Sequence, residues 1–117
     1  MTEHRIFGTP VAVVYPLYLA KLVRKGHTEE ELRDVTRWLT GFTDAEIDEH
    51  LDRKTTFADF FAAAKLHDNA SLITGVICGL RVENIEDPLM QKIRYLDKLV
   101  DEVGNGKKMA SILRGSN

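Results

Sequence analysis

The sequence predicts an all-α fold, a compact orthogonal bundle of about six helices. Three observations carry that expectation. Helix starts are spelled three times as Thr-x-x-acid, at Thr28–Glu31, Thr43–Glu46 and Thr56–Asp59. Asp87-Pro88 opens a fourth, and behind it Leu89, Ile93, Leu96, Val100 and Val103 recur at 4-3-4-3 spacing. The 117 residues are 44% hydrophobic and 29% charged, ordinary proportions for one folded domain with a real core.

The elements follow in chain order. Thr9-Pro10 offers a helix start, but Pro16 removes a backbone donor and is expected to kink or break the helix. The expectation is a short turn before Pro16 and a regular helix from there to Lys25, closed by Gly26. The β-branched run Val11, Val13, Val14 is open to a strand instead. Thr28-Glu29-Glu30-Glu31 is a capping box: the Thr hydroxyl accepts from the Glu31 amide and the Glu31 carboxylate reaches back. That helix should end at Thr40 before Gly41, with Leu32, Val35 and Leu39 inward. Thr43 to Glu46 repeats the device and sets Ile47 and Leu51 one turn apart. Thr56 opens a helix to Leu66, in which Phe57, Phe60, Phe61 and Ala64 share a face.

The stretch Ser71 to Ile85 is apolar and interrupted by Gly75 and Gly79. Short runs of this kind can be strands. No Asn-Gly or Asp-Gly divides it, and Ser71, Gly75 and Gly79 would form one small-residue helix face. It is therefore expected as a near-central apolar helix at about residues 70–82, followed by a long amphipathic helix at about 88–103. A last short turn, Lys107 to Arg114, would dock Met109, Ile112 and Leu113.

Several function classes are disfavoured by composition. The net charge of -2 gives no electrostatic case for nucleic acid or anionic lipid. The helix pair around Gly41 resembles helix-turn-helix, but its second member carries Asp44, Glu46, Asp48, Glu49 and Asp52, which phosphates repel. Trp38, Tyr15, Tyr18 and the Phe cluster read as core. The single cysteine excludes an internal disulfide and fits a reducing compartment. Within the expected helix, Cys78 reads as a buried structural thiol. His4, His27, His50 and His67 show no metal spacing, and Gly75-x-x-x-Gly79 lacks the Lys-Ser/Thr of a phosphate loop. No metal and no cofactor is expected. The run Ile6 to Leu19 is too short to span a membrane, and Pro10, Pro16 and Glu3 argue against a signal peptide. The expected location is the cytoplasm.

The densest polar cluster lies between Arg81 and Asp97. Its candidate ligand or partner residues are Arg81, Glu83, Asp87, Arg94, Tyr95 and Asp97. Arg forks match carboxylates bidentately, so the cluster is read either as an internal network or as the lining of a pocket.

Three blocks carry a family resemblance. They are His4-Arg5-Ile6 with Val14-Tyr15-Pro16-Leu17-Tyr18, then Trp38-Leu39-Thr40-Gly41-Phe42, and Gly75 to Glu83 leading through Ile85-Glu86-Asp87-Pro88-Leu89-Met90 into Ile93 to Leu99. Through them the chain resembles the bacterial domain of unknown function 2200 family over nearly its whole length. The resemblance implies an all-helical domain and transfers no catalytic or ligand residue. The expected function is that of a binding or interaction module, with a homodimer through the long helix as one form. The alternative is a small-ligand protein or enzyme built on the Arg81–Asp97 cluster.

Overall fold

The computed structural model describes residues 5–115. Among these, five α-helices and one two-stranded hairpin surround a sixth, central helix. The helices are α1 (Val11–Arg24), α2 (Glu29–Thr40), α3 (Asp44–Asp52), α4 (Phe57–Ala63), α5 (Pro88–Gly104) and α6 (Met109–Ile112). The hairpin pairs β1 (Val76–Ile77) with β2 (Leu80–Arg81). Of the His4-Arg5-Ile6 block, His4 lies outside the described residues.

The caps act as the sequence indicates. Thr28 Oγ1 accepts from the Glu31 amide at 3.3 Å, and Glu31 Oε1 accepts from the Thr28 amide at 3.0 Å. Thr43 and Glu46 repeat the exchange at 3.2 and 2.9 Å. Thr56 accepts from the Asp59 amide at 3.2 Å without the reciprocal half of the box, because Asp is one methylene shorter. Asp87 accepts from the Met90 amide at 2.9 Å, and Pro88 takes the first helical position. Gly41 ends α2 at φ +74, a left-handed value that a side chain would oppose.

The core forms around α5. Its Ile93, Leu96, Leu99, Val100 and Val103 are buried, and the helix packs against α1, α2, α4, α6 and β1. Leu32, Val35 and Leu39 of α2, Leu22 of α1 and Phe57 and Phe60 of α4 complete the interior. Buried Thr36 and Thr40 donate to the carbonyls of Leu32 and Thr36, at 2.8 and 2.7 Å, and so carry no unpaired hydroxyl. The one buried carboxylate among the described residues is Glu102. Both of its oxygens accept from the Arg114 fork at 2.7 Å.

Two expectations are corrected. First, α1 is continuous through Pro16. A mid-helix proline costs about 3 kcal/mol. Burial of Val11, Tyr15 and Leu22, at roughly 1.5–3 kcal/mol each, outweighs that. The helix start is also anchored: the Val11 amide donates to the Thr55 carbonyl at 2.8 Å, and the Phe57 amide to the Thr9 carbonyl at 3.0 Å.

Second, residues 70–82 are not a helix, so the fold is mostly helical rather than purely all-α. A 3-10 turn (Ala70–Leu72) leads to buried Ile73, then the hairpin, then a 3-10 turn (Val82–Asn84). Gly75 takes φ +116, outside helical geometry. Cys78 and Gly79 take φ +54 and +78 at the turn, the paired left-handed conformations of a type I′ hairpin loop. Cys78 supplies the first of these, where Asn or Asp is usual. It is exposed at the hairpin tip, not buried. The central position expected for this stretch belongs to α5.

Candidate functional site

The structure separates the six residues singled out from sequence. Asp87 is a helix cap. Tyr95 is buried in the core, where burial raises its phenol above the usual value. Arg81 and Glu83 pair with each other at 3.3 Å beside the hairpin. Glu83 also accepts from the Gly75 amide at 3.0 Å, and that bond is the main cause that lowers its carboxyl below the ordinary range. Apart from the Arg81–Glu83 pair, Arg94 and Asp97 meet one turn apart on α5 at 2.7 Å.

Two residues join that pair from elsewhere in the chain. The Tyr18 hydroxyl of α1 donates to Asp97. Arg94 Nη1 donates to Cys78 Sγ at 3.6 Å. Burial, then the Asp97 charge, pushes the Tyr18 phenol well above its usual value. One turn along, Asp101 pairs with Lys21 at 3.5 Å and with Lys98 at 3.9 Å, and Lys98 Nζ donates to the Val76 carbonyl at 3.4 Å. The result is a polar seam that stitches α1 and the hairpin to α5. Arg94 Nε is buried within it without a hydrogen-bond partner. The thiol of Cys78 lies at the rim of the seam.

A second network was not visible in the sequence. Arg33 Nε donates to the Tyr15 hydroxyl at 2.7 Å, and Tyr15 donates to Glu29 at 2.9 Å. Arg33 also pairs with Asp48 at 2.7 Å, and Arg37 bridges Glu30, Asp34 and Asp44. These contacts bind α2 to α1 and α3. Burial pushes the Tyr15 phenol up to about 12. An open groove on α3, lined by Glu46, Asp48, Glu49 and Asp52, is acidic. Another holds Arg37, Trp38 and His67, with the two rings stacked at 4.3 Å. Among the described residues no three His, Cys, Asp or Glu side chains are grouped to hold a metal ion. No helix there is long and apolar enough to cross a membrane.

The surface feature that stands out is α1 itself. From Val11 to Ala20 it has no charged residue. One side is core, yet Val13 is 56% and Leu17 64% exposed on the other, with Pro16 and Ala20 beside them. A helix apolar all round is normally covered all round. Val76 and Leu80 add half-exposed apolar side chains on the hairpin.

These features define a small, mostly helical protein organised on one central helix, with a hairpin held against it by a polar seam and with an uncovered apolar helix face. The chain belongs to the family DUF2200, described as "uncharacterized protein conserved in bacteria", whose model matches residues 5–114. It is also similar to the crystal structure of uncharacterized protein SP1917. The two are 42% identical, with a TM-score of 0.89 over 96% of this chain and 93% of that one. No curated protein matches the chain. The relatives reported carry no assigned activity.

Proposed function

We propose that this protein is a cytoplasmic interaction module that acts through the outer face of α1. The exposed, uncharged run of Val13, Pro16, Leu17 and Ala20 carries the reading. Contiguous apolar surface costs solubility and is characteristic of association sites. The location rests on the unpaired, exposed Cys78, which suits a reducing compartment. A native-state apolar dye tests the face directly. At low micromolar protein the dye should bind the wild type, and the Val13→Glu/Leu17→Glu variant should lose most of that signal while keeping its helical circular dichroism. Equal dye binding by both proteins would remove the proposal.

A second reading, a small-anion site at Arg94, is favoured by the unpartnered Arg94 Nε beside Cys78. It predicts that carboxylates or phosphate raise the melting temperature of the wild type and not of Arg94→Gln. No shift in either protein would eliminate it.

A further inference from the structure

The end of α2 and the segment that follows α4 run side by side. The Lys65 amide donates to the Thr40 carbonyl at 2.9 Å, and the His67 amide to the Leu39 carbonyl at 3.1 Å. That pairing lays the His67 imidazole on the Trp38 indole, with 4.3 Å between ring centres and 20° between planes. His67 Nδ1 accepts from the Asn69 amide at 2.9 Å, which fixes the ring and leaves the proton of the neutral imidazole on Nε2. Nε2 has no hydrogen-bond partner among the described residues. The groove over this stack has a volume of about 320 Å³, within the range of small-molecule sites.

We propose that this groove binds a free aromatic amino acid, with its ring against the Trp38–His67 stack, its carboxylate on Lys65 and its ammonium on Asp68. The site lies away from the outer face of α1 and does not depend on the reading of that face. The charges around the stack select the ligand. Lys65 and Asp68 are exposed, line the groove on either side of His67 in the chain, and form no ion pair with any described residue. Arg37, also in the lining, is already committed to Glu30, Asp34 and Asp44. The groove therefore presents one free cation and one free anion beside an aromatic surface. A phosphate ester would set its second charge against Asp68 and the carboxylates around Arg37. A plain aromatic acid or amine would leave one of the two charges unanswered. A zwitterion answers both, and the His67 Nε2 proton is a second donor for its carboxylate. The ring gains the face contact that aromatic pairs favour, and half-buried Leu66 widens the apolar wall.

Trp38 is the only tryptophan of the chain, so its emission reports on the groove directly. The full chain is titrated with L-phenylalanine from about 0.1 to 20 mM. The emission should change saturably, with a dissociation constant of roughly 1 mM, the reach of a ligand of about a dozen heavy atoms. Phenethylamine and 3-phenylpropionate should each bind about three- to fivefold more weakly, since an exposed charge pair is worth no more. Lys65→Met should weaken phenylalanine by the same factor and leave phenethylamine unchanged. Asp68→Asn should weaken phenylalanine likewise and leave 3-phenylpropionate unchanged. Both substitutions fall on exposed side chains, and circular dichroism verifies that each variant is folded.

A strictly linear response to phenylalanine up to 20 mM would overturn the site. Equal affinity for phenylalanine and its two truncated analogues, or tighter binding of adenosine monophosphate, would overturn the assignment to a zwitterion. A saturable response indifferent to both substitutions would place the ligand elsewhere and overturn the inference. None of these outcomes alters the dye test of the α1 face, so the two readings fail separately.

Discussion

Replacing Arg114 with Met should be among the most damaging single changes available near the C-terminal end of the described chain. Arg114 and Glu102 are 15% and 4% exposed at their side chains, and the guanidinium meets both carboxylate oxygens at 2.7 Å. Removing one member of a buried pair typically costs about 3–5 kcal/mol, because the other charge stays desolvated. Here Lys107 still reaches Glu102 at 3.3 Å, from a half-exposed position. That residual contact lowers the expected cost to about 2–3 kcal/mol. Arg114 also supplies the carbonyl that accepts from Asn69 Nδ2 at 3.1 Å, a bond the substitution leaves in place. For a chain of this length the loss corresponds to a melting temperature about 8–12 °C lower. Urea titration by circular dichroism would measure it, with the slope m unchanged. Pairing Arg114→Met with Glu102→Leu should recover most of the loss, since an apolar pair has no charge to desolvate. A cost below about 1 kcal/mol for Arg114→Met, or additivity in the double variant, would show that the pair is not buried in solution and would refute the reasoning.

Three further outcomes follow from other parts of the fold. Cys78→Asn should stabilise the protein by about 0.5–1 kcal/mol, because Asn tolerates the left-handed conformation that Cys78 holds at φ +54; a loss of stability in urea would contradict the turn assignment. Thr28→Ala should cost about 1 kcal/mol, and Thr28→Ser should restore most of it, by the same assay. The three tyrosines all ionise late, Tyr15 near 12 and Tyr18 and Tyr95 above their ordinary value. Folded phenols that ionise above an unfolded value near 10 contribute stability that is complete below pH 10 and declines as pH climbs towards 12. Absorbance at 295 nm should therefore rise only with alkaline unfolding, and a smooth transition near pH 10 in the folded protein would negate the burial of all three.

What was legible in the sequence is what local chemistry decides. Thr28, Thr43, Thr56 and Asp87 each bond to an amide three residues on, so the starts of α2 to α5 fall where the side chains place them. What was hidden depends on the rest of the molecule. Pro16 is a helix breaker by its own chemistry, and only the packing of Val11, Tyr15 and Leu22 overrides it. The Ser71–Val82 stretch looked like a helix because Cys-Gly is not a customary turn pair. The Arg81–Asp97 cluster falls into two separate pairs, Arg81 with Glu83 and Arg94 with Asp97. The partners that make the second pair a seam come from Cys78, 16 positions from Arg94, and from Tyr18, 79 positions from Asp97. No spacing rule reaches that far. The burial of Glu102 escapes spacing for a related reason: its partner Arg114 belongs to the chain after α6.

The central place of α5 has a consequence for the order in which the protein is made. Residues emerge from the ribosome from the N-terminus onward, and α1 to α4 are complete well before Pro88 appears. Until then α1, α2 and α3 have only one another to pack upon, and the apolar sides that α5 covers wait exposed. Helices this short are marginal without tertiary support. The core is therefore completed late, once the last third has been synthesised, and the exposed apolar sides are open to aggregation until then.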